Sequence, residues 1–214
     1  SFAVGDQATF NAPGFDITLG DNAGDTTHFG RLNVTGVNVT ISEDSATVFT
    51  GTSTATSDLT IKAAGNITDE AGATLAVMDL ATLNASGDIT LGDDTTDTTN
   101  FGRLNVTGVN VTISEDSATV FTGINTATED LVQNSGGDIT DEASTSFAVG
   151  DQATFNAPGF DITLGDNAGD TTNFGRLNVT GVNVTISEDS ETVFTGTSTA
   201  TSDLTIKAAG NITD

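Results

Sequence analysis

The chain has 214 residues, with 30 Asp and Glu against 5 Lys and Arg and a formal net charge of −25. That charge disfavours nucleic acid, whose phosphates need clustered Lys and Arg, and docking on an anionic membrane; no run of about 18 apolar residues offers a membrane span. Cys is absent, so disulfides and thiol chemistry are absent too. The 36% hydrophobic content, in regularly spaced Val, Ile, Leu and Phe, predicts an ordered chain despite the charge.

Taken in chain order, the sequence is an array. The stretch 29–51, FGRLNVTGVNVTISEDSATVFTG, recurs unchanged as 101–123 and with one substitution, Glu191 for Ala46, as 174–196. Residues 1–69 match 146–214 with two differences, His28 to Asn173 and Ala46 to Glu191. Three repeats follow, approximately 1–73, 74–145 and 146–214, forming one continuous unit over 1–214. No signal peptide precedes the first repeat, and both ends read as cuts through a longer array.

A finer repeat lies inside each unit. An [Asp/Asn]-[Ile/Val]-Thr triplet occurs nine times, centred on Ile17, Val39, Ile67, Ile89, Val111, Ile139, Ile162, Val184 and Ile212. The triplets recur with a period in the low-to-middle twenties. With strand alternation as in Val37-Asn38-Val39-Thr40-Ile41 and no helical period, this predicts an all-β parallel β-helix. The expected fold is a β-solenoid with about nine coils, three per 72–73-residue repeat, about 43 Å long at 4.8 Å per coil. The nine aliphatic residues are expected to stack in one inner ladder, with their Asp and Asn neighbours in an outer column. Within that column Asp138 to Asp161 is the one acid-on-acid step, a candidate weak point or cation site. In the third coil of each repeat Asp69, Asp141 and Asp214 replace Leu19 or Ile41, so the strand is expected to end early and outer features to recur about every 14 Å. Glycines such as Gly14, Gly36 and Gly65 mark corners, and 21–27 and 52–57 are expected loops.

The segments DLTIKAAGNITDEAG (58–72) and LATLNASGDITLGD (80–93), with the LNVTG strands, resemble the repeats of filamentous-haemagglutinin-type bacterial exoproteins. The resemblance implies a right-handed parallel β-helix, an extracellular or cell-surface location, and a role in adhesion or matrix formation.

The residues offer little for catalysis, and no enzymatic activity is expected. The sole histidine, His28, is Asn100 and Asn173 in the other repeats and reads as a surface loop residue. Arg31, Arg103 and Arg176 beside acidic residues could mimic a polysaccharide-cleaving β-helix enzyme, but their repetition favours ion pairs at corners. Calcium is the better chemical candidate. The paired carboxylates Asp21 and Asp25, Asp93 and Asp97, and Asp166 and Asp170 sit four apart in turn sequences, and hard oxygen donors suit that ion. No EF-hand or GGxGxD roll is present. Asn-x-Ser/Thr occurs at Asn33, Asn38, Asn66, Asn84, Asn105, Asn110, Asn178, Asn183 and Asn211, which would accept glycans on an exported protein. Threonine files such as Thr18, Thr40 and Thr68 resemble an ice-binding face without its second file. The expected role is a segment of a surface fibre or adhesin stalk that stacks on itself, with a calcium- or glycan-binding rod as the alternative.

Overall fold

The computed structural model describes residues Ser1–Asp214 and contains strands and turns but no helix. Strand pairing is parallel throughout. The chain is a β-solenoid whose coils lay down one short strand on each of three faces. Ile17–Leu19, Val39–Glu43 and Leu59–Ala63 stack on face 1. Ile67–Asp69, Ile89–Leu91, Val111–Glu115 and Leu131–Ser135 stack on face 2. Ile139–Asp141, Ile162–Leu164, Val184–Glu188 and Leu204–Ala208 stack on face 3.

Paired strands from Phe2–Asn11 up face 2 to Thr199–Ala200 cross ten layers, one more than the nine triplets suggested. The reason is that a triplet does not mark a coil. Val39 is covered by Leu59, not by Ile67, and Ile67 instead covers Thr47. Each long step between triplets is therefore a whole coil plus one further face. From Ile17 the register climbs through Val39 and Leu59 to Ala81, and the sequence equivalent Ile89 lies one face beyond. A repeat thus spans three and a third coils, and three repeats make ten.

The expected single aliphatic ladder is consequently three. Ile17 and Val39 lie on face 1, Ile67, Ile89 and Val111 on face 2, and Ile139, Ile162 and Val184 on face 3. The outer Asp/Asn column divides in the same way. Asn38 donates from its backbone and Nδ2 to Asp16 Oδ1, Asn110 to Asp88 Oδ1, and Asn183 to Asp161 Oδ1. At the acid-on-acid step the Asp161 backbone N–H donates to Asp138 Oδ1 at 2.9 Å, so that corner follows the same hydrogen-bonding rule. At a 4.8 Å layer spacing an outer feature recurs every ~16 Å with a third of a turn, not every 14 Å on one line.

Long strands such as Thr74–Ala85 and Thr98–Gly108 turn a corner midway, where their register shifts between Phe101 and Arg103. Gly102 occupies that corner because a Cβ there would sit 2.7 Å from Asp79 O. The segment 52–57 is largely strand, Thr52–Ala55, instead of a loop. Asp69 and Asp141 do not end their strands early but stay in phase on them, aligned with Phe49 and Phe121 of the layer below.

The interior is one cluster of 41 buried hydrophobic residues. Alternation puts Leu32, Ile41, Ile61 and Phe121 wholly inside, each contributing about 1.5–3 kcal/mol relative to exposure. Phenylalanines stack across layers, with Phe121 and Phe147 centroids 5.0 Å apart and Phe147 and Phe174 5.8 Å apart. No helix is long and apolar enough to cross a membrane.

Candidate cation site at the long corner loops

The three long acidic loops follow Ile17–Leu19, Ile89–Leu91 and Ile162–Leu164, so they leave the rod at three different faces. Gly20, Gly92 and Gly165 open them with φ near +69°, a left-handed turn that glycine adopts without strain. Asp94 braces its loop by accepting from Thr96 N–H at 3.0 Å and Thr96 Oγ1 at 2.7 Å, which hold its carboxyl below the usual range.

The expected pairs do come together, and two of them gain a third carboxylate from the layer below. Asp93 and Asp97 meet Asp69, and Asp166 and Asp170 meet Asp141, with carboxylate oxygens within 4.8 Å of one another in each group. Asp21 and Asp25 have no such third acid; they line an open cleft of about 230 Å³ beside Ser1 and Thr26. Asp69 and Asp141 were not legible as ligands in the sequence, since each lies a full coil before the loop it meets. Pairing residues one coil apart would have found them, had the coil length been known.

Electrostatics sharpen these two sites. Burial raises Asp69 to about 6 and Asp141 to about 7, and the neighbouring loop carboxylates push in the same direction. Donation from Gly92 N–H to Asp69 at 3.0 Å, and from Gly165 N–H to Asp141 at 3.1 Å, opposes that rise. Asp97 is itself tied to the layer below through Gly72 N–H at 2.8 Å, and Asp170 through Thr145 N–H at 3.0 Å. The donor set is all oxygen, which suits a hard divalent cation.

A second group of acids escaped the sequence reading. Glu43, Glu115 and Glu188 of the three SED segments are buried. Their signal was present, because Glu43 is in phase with Val39 and Ile41. Glu115 accepts from Phe101 N–H at 3.1 Å and Thr119 Oγ1 at 2.9 Å; Glu43 accepts from Phe29 N–H at 2.9 Å and from Thr47 Oγ1. Burial pushes Glu115 up to about 8 and Glu188 up to about 7, and raises Glu43.

The arginines form corner ion pairs. Arg31 clamps Asp6 and Glu70, Arg103 clamps Asp79 at 2.6 Å and Glu142 at 3.5 Å, and Arg176 pairs with Asp151. His28 lies on the strand Thr27–Gly36 instead of in a loop, and faces solvent. Thr18 is followed up face 1 by Thr40, Thr60 and Thr82, not by Thr68. The outward file beside them is Ser42, Lys62 and Asn84.

A sequence family described as "Repeats of unknown function (DUF5649)" matches residues 36–107 and again 108–180. These two segments, each one repeat long, cover two-thirds of the chain and carry the period found within it. No curated protein matches the chain, and no solved structure matches it.

Proposed function

Since the chain belongs to the family of repeats of unknown function (DUF5649), we propose that this repeat β-solenoid serves as a structural segment of a bacterial extracellular or cell-surface fibre or adhesin stalk. The reading is non-catalytic: the rod acts by spanning distance and by stacking head to tail on copies of itself. The supporting observation is the screw. Three repeats of three and a third coils return each corner to its starting face, so a further copy continues the rod in phase. Electron microscopy of the purified chain tests this. Filaments one chain wide with an axial spacing of about 4.8 Å are expected; compact particles, or rods that never join at high concentration, would overturn the self-stacking part.

The second reading is cation binding, carried by the convergence of Asp69 with Asp93 and Asp97. A calcium ion there would relieve the repulsion of three carboxylates. Titration calorimetry with calcium should give saturable binding that is halved in Asp69→Asn and lost in the double variant Asp69→Asn, Asp141→Asn. Heat of mixing that is the same for both proteins would leave only diffuse screening. Glycans remain the alternative ligand for the outer faces, and nucleic acid is not an expected partner.

A further inference from the structure

Nine asparagines carry the Asn-x-Ser/Thr pattern, and the solenoid treats them very differently. In Asn33 and Asn105 the Nδ2 is held between two backbone carbonyls, Thr50 O at 2.8 Å and Thr52 O at 2.7 Å, and Thr122 O and Ile124 O at 2.8 Å each. Asn178 Nδ2 donates to Thr195 O at 2.7 Å. Asn38, Asn110 and Asn183 spend their Nδ2 on the aspartate of the layer below, at 2.9 Å in all three. These six amide nitrogens are engaged and half-buried. Asn66 is exposed, but its Oδ1 accepts from Asp88 N–H at 3.0 Å and lies tight under Gly87, where a Cβ would collide with it. Asn211 is the same ladder position in the last coil.

Among the asparagines with a coil stacked above them, Asn84 alone stands outside both schemes; Asn211, in the last coil, is exposed and also makes no side-chain hydrogen bond. Its side chain is exposed and makes no hydrogen bond, and Ser86, which completes its pattern, is exposed too. It points outward from the second half of Thr74–Ala85, in line with Lys62 below and Thr107 above, and the chain turns a corner directly after it. The other two repeats place Asn11 and Asn156 here, but followed by Pro13 and Pro158 in place of Ser86, which abolishes the pattern. The middle repeat also lacks the bulky Phe15 and Phe160 that crowd that corner elsewhere, 73% and 42% exposed respectively.

We propose that Asn84 is a glycan-acceptor site, built by the one repeat that replaces the proline with serine and omits the phenylalanine. The chemistry is transfer from a phosphate-activated sugar: a bond forms between Asn84 Nδ2 and the anomeric carbon, the bond from that carbon to the donor's phosphate oxygen breaks, and the amide proton leaves to a base on the transferase. Selection follows from the other asparagines: six nitrogens must first break a hydrogen bond to backbone or carboxylate, and the Asn66 amide is pinned through its Oδ1 to Asp88 N–H beneath Gly87. The site rests on the proposed surface location only for where a transferase would meet the chain; fibre assembly is not needed.

The test uses the folded chain carrying Asn211→Gln, so that the open last coil does not contribute. It is incubated with a soluble asparagine glycosyltransferase and its nucleotide-hexose donor, then read by intact mass and peptide mapping. One hexose per chain, mapped to Asn84 and absent in Asn84→Gln, is the expected result. Restoring the neighbouring pattern with Ser86→Pro should abolish it equally while leaving the circular dichroism of the rod unchanged. Labelling spread over Asn33, Asn38 or Asn66 would overturn the proposal, as would labelling of the urea-unfolded chain with none on the folded rod. A failure here with filaments still seen by microscopy would leave the structural reading untouched.

Discussion

Thr119 Oγ1 donates to Glu115 Oε1 at 2.9 Å inside the rod, four residues apart across a corner, and Gln133 Nε2 reaches Thr119 Oγ1 at 2.8 Å from the layer above. A carboxyl group therefore sits in the wall of an apolar core, and the same happens at Glu43 and Glu188. Such a group costs most when ionised.

Stability should therefore fall as pH rises. The folded values of Glu115, about 8, Glu188 and Asp141, about 7, and Asp69, about 6, all lie above ordinary carboxylate values. A group whose folded pKa is raised stabilises fully below its unfolded pKa, near 4, and that contribution is lost as pH passes the folded value. Melting followed by circular dichroism should show a higher transition temperature at pH 5 than at pH 8.5. Glu115→Gln should raise the transition at pH 8.5 and change it little at pH 5. An unchanged wild-type transition across that range would contradict the burial of these acids.

Corner glycines should divide into two classes. Gly102→Ala forces a Cβ against the backbone of the layer below, within 2.7 Å of Asp79 O, and should cost about 1–3 kcal/mol. Gly5→Ala, at the same corner of the first coil with no layer beneath it, nothing within 4 Å of the new Cβ and no positive φ, should fall within about 0.5 kcal/mol of wild type in the unstacked chain. Denaturant midpoints of the two variants measure the difference directly.

Arg103 links three layers through Asp79 and Glu142, but its side chain is 35% exposed and theirs 52% and 43%. Arg103→Ala should cost only about 0–1 kcal/mol, and less at high salt. A loss of several kcal/mol that persists in 1 M salt would mean that the arginine stem packs the corner more than its charge pairs it.

The screw can be measured on single molecules. Cysteine is absent, so spin labels at Asn22→Cys, Asp94→Cys and Asn167→Cys report the three loops in pairs. Loops in one straight line would make the outer distance, Asn22 to Asn167, twice the inner one, Asn22 to Asp94. With each repeat turned by a third, the ratio should be clearly below two, because a lateral separation adds to the ~16 Å rise.

The solenoid itself was legible in the chain alone, for a physical reason. Alternation in Val39, Ile41 and their copies needs only local geometry to say which side is buried, and an exact repeat forces like segments into like structure. The ion-paired corners at Arg31, Arg103 and Arg176 followed from recurring charges beside recurring turns. The coil length did not follow. It depends on which strand lies under which, and Leu59 competes with Ile67 for the place above Val39 with nearly the same sequence. Only packing in three dimensions chose Leu59, and with that choice came ten coils, a third of a turn per repeat, and the meeting of Asp69 with Asp93 and Asp97. Glu115 lay between these cases: its phase with Val111 and Ile113 pointed inward, but only the closed core, with Thr119 and Gln133 to receive it, made a buried carboxyl tolerable.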